Sequence, residues 1–210
     1  ISQTNPVGDN RLYLSTSSTV MNCTFGNISL STSAVGNSGN TEPSGVRVLN
    51  NTFSMSATSS IELTNGATLF EIRGNNNINF LSTRSTTTNG IIQDNSFFGR
   101  MTGQGGGAIF DISTATTSQV QILHNTFVNQ IADPGRSSRM ISLKGSDLTF
   151  ATNTLRFATP HADTGVNVGL FSAATGTVYI GGNFIEAPTN NNDCNAIYIG
   201  PESNVPWNAS

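Results

Sequence analysis

Two pairs of residues have the types and spacing to do chemistry. Glu62 and Asp111 stand at the centres of two similar triplets, Ile61-Glu62-Leu63 and Phe110-Asp111-Ile112. Paired carboxylates divide the acid and base work of glycoside hydrolysis, and their separation sets the stereochemical outcome. Asp94 and His124 each stand just before an Asn in two copies of a recurring phrase. A carboxylate that holds an imidazole by a hydrogen bond is a common general acid-base pair. Whether either pair meets depends on the elements that carry it.

Those elements repeat. Seven times a β-branched or aromatic pair at alternate positions is followed by a polar residue, a key Asn, a small residue and a large apolar one. The fullest copies are Val46-Arg47-Val48-Leu49-Asn50-Asn51-Thr52-Phe53 and Val120-Gln121-Ile122-Leu123-His124-Asn125-Thr126-Phe127. Looser copies carry the key Asn at Asn75, Asn95, Asn153 and Asn183, and the first has Cys23 in that place. The intervals are 28, 24, 20, 30, 28 and 30 residues. A period of that size that wanders by a few residues marks a solenoid. Between the phrases lies a second apolar-variable-apolar segment: Ile61-Glu62-Leu63, Ile78-Asn79-Phe80, Phe110-Asp111-Ile112, Ile141-Ser142-Leu143, Phe171-Ser172-Ala173 and Ile197-Tyr198-Ile199. Period-2 alternation of this kind is that of a half-buried strand.

Strand, turn, strand, Asn turn, third short strand and loop together predict an all-β fold, a single-stranded right-handed parallel β-helix of about seven coils. Equivalent strands then stack about 4.8 Å apart, and seven coils make a rod of roughly 34 Å. A residue type repeated at one position becomes a column. Asn tolerates a left-handed turn, and its amide can donate to the next coil while accepting from the previous one. Phe25, Phe53, Phe97, Phe127 and Leu155 are expected to stack beside the Asn ladder. Residues 1–210 read as a single domain, a section of a longer polypeptide, because Ile1 is not an initiator Met and no charged-then-apolar leader follows it. The longest excursions between coils are expected at Val35 to Ser44, Ser82 to Asn89, Ala132 to Ser138 and Pro160 to Val166.

On this geometry Glu62, Asn79, Asp111, Ser142, Ser172 and Tyr198 form one outward column, with Arg73, Lys144 and Gln121 on or near neighbouring columns. Amides, hydroxyls, an ammonium and an aromatic suit a sugar polymer, so Asn79, Ser142, Lys144 and Tyr198 are the candidate carbohydrate contacts. Glu62 and Asp111, two coils apart, lie about 9.6 Å apart at the backbone, near the upper end for an inverting pair. An ordinary polar outer face explains the same column. Asp94 and His124 lie one coil apart, and an ordinary turn contact explains them equally. His161 and Asp163 offer a similar pair in a loop. Leu69, Met140 and Leu170 are expected to point outward as apolar residues, material for a lateral interface between rods.

Composition narrows the classes. Charged residues make up 10% of the chain, its net charge is −3, and Lys144 is its one lysine. Nucleic-acid binding calls for a basic stripe, which is lacking. No run of about 18 apolar residues spans a membrane. No metal site or cofactor is expected: His124 and His161 are 37 residues apart, and neither lies near a Cys or a paired carboxylate. The Gly103 to Gly107 run lacks the Lys-Ser/Thr ending of a phosphate loop and reads as a turn. Cys23 and Cys194, in the first and last coils, are about 29 Å apart and cannot bridge within a straight rod.

The Val/Ile-x-Val/Ile-x-x-Asn-Thr-Phe phrase resembles the repeat of the pectate-lyase-like parallel β-helix superfamily over about Leu12 to Ile199. That superfamily includes pectin-degrading enzymes, phage tailspikes and surface proteins. Gly105-Gly106-Gly107-Ala108-Ile109 is similar to an element of bacterial polymorphic outer-membrane passengers. The clustered carboxylates of a pectate lyase Ca²⁺ site are not matched here. The Ser/Thr/Asn-rich, lysine-poor chain is most like a tailspike or fibre module. Such modules, as the resemblance implies, are trimers on the virion tail that bind, and often cleave, bacterial surface polysaccharide, with sites that can lie between subunits. Two other readings stay open: a stand-alone polysaccharide lyase or glycoside hydrolase, and an extracellular adhesin or autotransporter passenger on a bacterial surface.

Overall fold

The computed structural model of the chain describes residues 11–26, 28–32, 43–54, 60–63, 66–83, 85–99, 110–112, 116–129, 138–157, 167–172, 176–186 and 194–200. Among these residues the chain forms strands and no helix, so no helix is long and apolar enough to cross a membrane. Every strand pairing is parallel, and each strand pairs with its equivalent in the next coil. The fold is a parallel β-solenoid, as the repeat predicts.

Three sheets run along the rod. The first stacks eight strands: Arg11–Leu14, Ser29–Thr32, Ser60–Leu63, Phe80–Thr83, Phe110–Ile112, Ser138–Leu143, Asn167–Ser172 and Cys194–Ile199. The last of these opens a coil beyond the seven expected. The second sheet runs from Thr19–Met21 through Arg47–Leu49, Glu71–Arg73, Thr87–Gln93, Thr117–Leu123 and Leu148–Ala151 to Val178–Gly181. The third holds the short strands after the ladder position: Thr24–Phe25 with Thr52–Phe53, then Ser96–Gly99, Thr126–Asn129, Thr154–Phe157 and Phe184–Ile185. Isolated bridges at Thr52 to Asn76 and Ile78 to Phe97 carry this sheet across the gap in the third coil.

The ladder residues are interior. Asn51, Asn75, Asn95, Asn125 and Asn153 are buried, and each side-chain NH2 donates to Oδ1 of the Asn one coil on. The same Oδ1 also accepts the backbone N–H of the preceding Asn. A further N–H reaches back to a second-sheet carbonyl of the coil before: Val48 for Asn75, Ile72 for Asn95 and Ile92 for Asn125. Each amide thus ties three coils together, and every polar atom it buries finds a partner. Cys23 keeps only part of this. Its N–H donates to Asn51 Oδ1, while its Sγ contacts Met21 O within its own coil.

The left-handed residue of the turn is the one before the ladder Asn. Asn22, Asn50, Gly74, Asp94, His124, Thr152 and Gly182 all have φ between 53° and 66°. The expectation placed that conformation on the ladder Asn itself. The interior amide needs the extended side of the turn in order to face its neighbours.

The core follows the repeat. Phe97 and Phe127 stack at 4.7 Å, Phe25 and Phe53 lie 5.4 Å apart, and Phe110 packs edge-on against Phe97 and Phe127 at 5.7 and 5.6 Å. Val48, Ile72, Ile92, Ile122 and Phe150, each three residues before its Asn, are fully buried in one column.

Four expectations are corrected. Ile78-Asn79-Phe80 is not a first-sheet strand. After Asn75 the third coil carries one extra residue, absorbed by Asn77 at φ 59°, so Ile78 pairs with Phe97 in the third sheet. The first-sheet strand begins only at Phe80 and puts Leu81 inside. The alternation of Ile78 and Phe80 therefore belongs to two faces of a corner. In the seventh coil the register is one residue from that expected: Phe171 pairs with Ser142 and Tyr198, and Ser172 with Leu143 and Ile199. Ser82 to Asn89 is mostly strand rather than an excursion. Met140, expected outside, is buried. The Gly103 to Gly107 run, His161, Asp163, the expected excursion at Pro160 to Val166, that at Ala132 to Ser138 except Ser138, and that at Val35 to Ser44 except its last two residues lie outside the described residues.

Candidate functional site

The first-sheet column in register with Glu62 runs Tyr13, Ser31, Glu62, Ser82, Asp111, Ser142, Phe171, Tyr198. Glu62 and Asp111 do share it, two coils apart with Ser82 between them. Their backbone separation follows from the strand spacing, about 9.6 Å. Glu62 is held from behind: Ser60 Oγ donates to Oε1 at 3.1 Å, and Arg11 Nη2 lies 3.8 Å from Oε2. The column is not an open surface. Ser82 and Ser142 are each 1% exposed, and their hydroxyls have no hydrogen-bond partner. Met140, on the same outer face, is also buried.

The proposed sugar contacts are scattered by this register. Asn79 is buried at the corner before Phe80 and is not in the column, where Ser82 takes its place. Ser142 is in the column but covered. Lys144 is half-buried just past the strand end, its N–H bonded to Ile112 O. Tyr198 is half-buried in the last strand.

Asp94 and His124 do meet. His124 Nδ1 lies 3.6 Å from Asp94 Oδ1, and both side chains are about half exposed on the left-handed turn ridge. Two consecutive coils in the same strained turn bring them together. The column continues as Asn50, Gly74, Thr152 and Gly182, so no third titratable group completes a catalytic set on the ridge. Among the described residues no group of three His, Cys, Asp or Glu side chains can hold a metal ion.

The second sheet, like the third, presents an open outer face. Its outer columns read Thr19, Arg47, Glu71, Ile91, Gln121, Thr149, Tyr179 and Met21, Leu49, Arg73, Gln93, Leu123, Ala151, Gly181. None of these residues is buried. Glu71 joins two cations: Arg47 Nε donates to Oε2 at 2.9 Å, and Arg73 Nε lies 3.4 Å from Oε1. Only the first contact has hydrogen-bond geometry, since Arg73 Nε is buried without a partner. The sequence reading placed Arg73 and Gln121 near the first-sheet column. The signal for their true face was in the recurring phrase itself, where the residues between the inward Val and Ile must point outward.

Comparison with protein-family models, with curated proteins and with solved structures yields no match.

Proposed function

We propose that the chain is a glycan-recognition module of the tailspike or fibre type, directed at bacterial surface polysaccharide and acting as a homotrimer on a virion. The observation that carries this reading is the uncovered second-sheet face, which lines up Arg47, Glu71, Arg73, Gln93, Gln121, Thr149 and Tyr179 along the rod. Guanidinium, amide, hydroxyl and phenol groups supply the fixed polar contacts and the apolar body that sugar binding uses. Their repeat of about 4.8 Å along the axis suits an extended polymer rather than a compact ligand. The first-sheet column offers the carboxylates of a hydrolase, yet its covered hydroxyls leave a polymer no surface to lie on.

The test is binding of purified bacterial O-polysaccharide, measured by affinity electrophoresis, for the parent chain and for Arg73→Glu combined with Gln121→Ala. Weaker retardation of the double variant at unchanged thermal stability supports the second-sheet face. Equal retardation moves recognition elsewhere. Release of new reducing ends by the parent would favour the lyase or hydrolase reading.

A further inference from the structure

We propose that Tyr179, laid flat over Gly181, is a stacking platform for the carbon-bound-hydrogen face of a pyranose ring. The inference rests on the glycan-recognition reading and adds a specific subsite to it. A Cβ built on Gly181 would meet Tyr179 Oη at 2.5 Å, Cζ at 2.7 Å and Cε1 at 3.0 Å. The hydroxyl end of the phenol therefore lies along its own strand, in the space a side chain at Gly181 would fill. The residue is nevertheless 61% exposed, so much of the ring is open to solvent.

Such a ring is already in its binding posture. An exposed Tyr on an ordinary strand stands out from the sheet and must give up side-chain freedom to stack on a ligand. Here the missing side chain at Gly181 makes the place in which the ring rests. The electron-rich ring face attracts the positive edge of C–H groups, and one side of a pyranose offers several of them. Thr149, paired with Tyr179 in the preceding coil, is half exposed beside the platform and can hydrogen-bond a sugar hydroxyl. Ala151, paired with Gly181, is small enough to leave the approach low.

The same three-residue unit recurs at Tyr198-Ile199-Gly200, where a Cβ on Gly200 would meet Tyr198 Oη at 3.2 Å. That ring is half-buried, which fits a cover for its glycine better than a platform. A cover is the competing role for Tyr179 as well, and binding measurements separate the two.

The full chain is run by affinity electrophoresis through gels containing dextran, mannan, arabinogalactan or purified bacterial O-polysaccharide. At least one polysaccharide is expected to retard the parent. Tyr179→Ala should then lose on the order of tenfold in affinity, while Tyr179→Phe and Tyr179→Trp keep it. Gly181→Ala retains the ring but lifts it from the sheet, and should weaken binding too. Circular dichroism and thermal melts of all four variants establish that they fold. A parent that binds and a Tyr179→Ala variant that binds equally would overturn the platform and leave the wider glycan reading standing. A parent retarded by none of the four polysaccharides would overturn that reading and the platform with it.

Discussion

Asn95 donates both its backbone N–H and its side-chain N–H to Oδ1 of Asn125, each at 3.0 Å, inside a column from which solvent is excluded. One acceptor atom thus satisfies two buried donors, and its own amide continues the pattern to Asn153 and back to Ile92 O. The ladder is the rod's polar spine, and removing one rung strands partners in the coils on both sides.

Asn125→Leu leaves both donors of Asn95 without an acceptor. The expected loss is about 3 kcal/mol, since each unsatisfied buried group costs roughly 1–3 kcal/mol. Chemical denaturation should show a lower midpoint at an unchanged slope. Asn183→Leu takes the same double acceptor from Asn153, but at the half-buried end of the ladder, where water can replace it and no further rung is broken, so it should cost less. Equal losses at the two positions would mean that the ladder is not the source of the effect.

Gly90 is the small partner of Phe70 in the core. A Cβ there would overlap Phe70 Cε1 and Cζ, and Phe70 is buried with nowhere to swing. Gly90→Ala is therefore expected to destabilise by about 1–3 kcal/mol through overpacking. Combining it with Phe70→Leu should recover part of the loss. A double-mutant cycle that gives strict additivity would contradict the contact.

Thr152 holds a β-branched side chain at φ 55°. That conformation costs a non-glycine residue roughly 1–2 kcal/mol, against about 0.5–1 kcal/mol for the extra unfolded-state freedom of glycine. Thr152→Gly should leave the melting temperature unchanged or raise it slightly. Thr152→Pro cannot reach positive φ and also removes the N–H that bonds Gly181 O at 3.0 Å, so it should cost about 3 kcal/mol or more. A strong loss with glycine would show that the Thr152 side chain itself is needed.

Glu62→Gln and Asp111→Asn test the first-sheet pair. If binding lies on the second sheet, as proposed, both amide variants should bind polysaccharide as the parent does. Glu62→Gln weakens the link to Arg11, which is a long, partly exposed contact at 3.8 Å, so its effect on stability should stay below about 1 kcal/mol. Loss of turnover with retained binding would instead identify the two carboxylates as acid and base.

Assembly is tested by sedimentation. Met140 is buried and leaves the list of outward apolar residues, whereas Leu69 stays on it, 65% exposed. The tailspike reading expects a trimer at high protein concentration. A persistent monomer in sedimentation equilibrium would count against it.

The sequence by itself determined the repeat and nearly everything the repeat controls: parallel coils, the interior Asn column, the Phe stack beside it, and Asp94 next to His124 one coil apart. These follow because in a solenoid equal positions in successive phrases become neighbours in space, so counting residues between Asn51 and Asn183 is already a measurement of structure. Register within the first sheet was not legible to the same degree. One left-handed residue, Asn77, shifts Ile78 into the third sheet and replaces Asn79 by Ser82 between Glu62 and Asp111. A shift of one residue exchanges the faces of a strand, and apolar alternation alone does not say where a corner absorbs it. Only the tertiary structure decided that the first-sheet face is covered while the second-sheet face is open. Alternation puts Ser142 and Gln121 outside on equal terms, yet Ser142 is covered and Gln121 is exposed. A strand's own alternation carries no record of which outward residues end up covered.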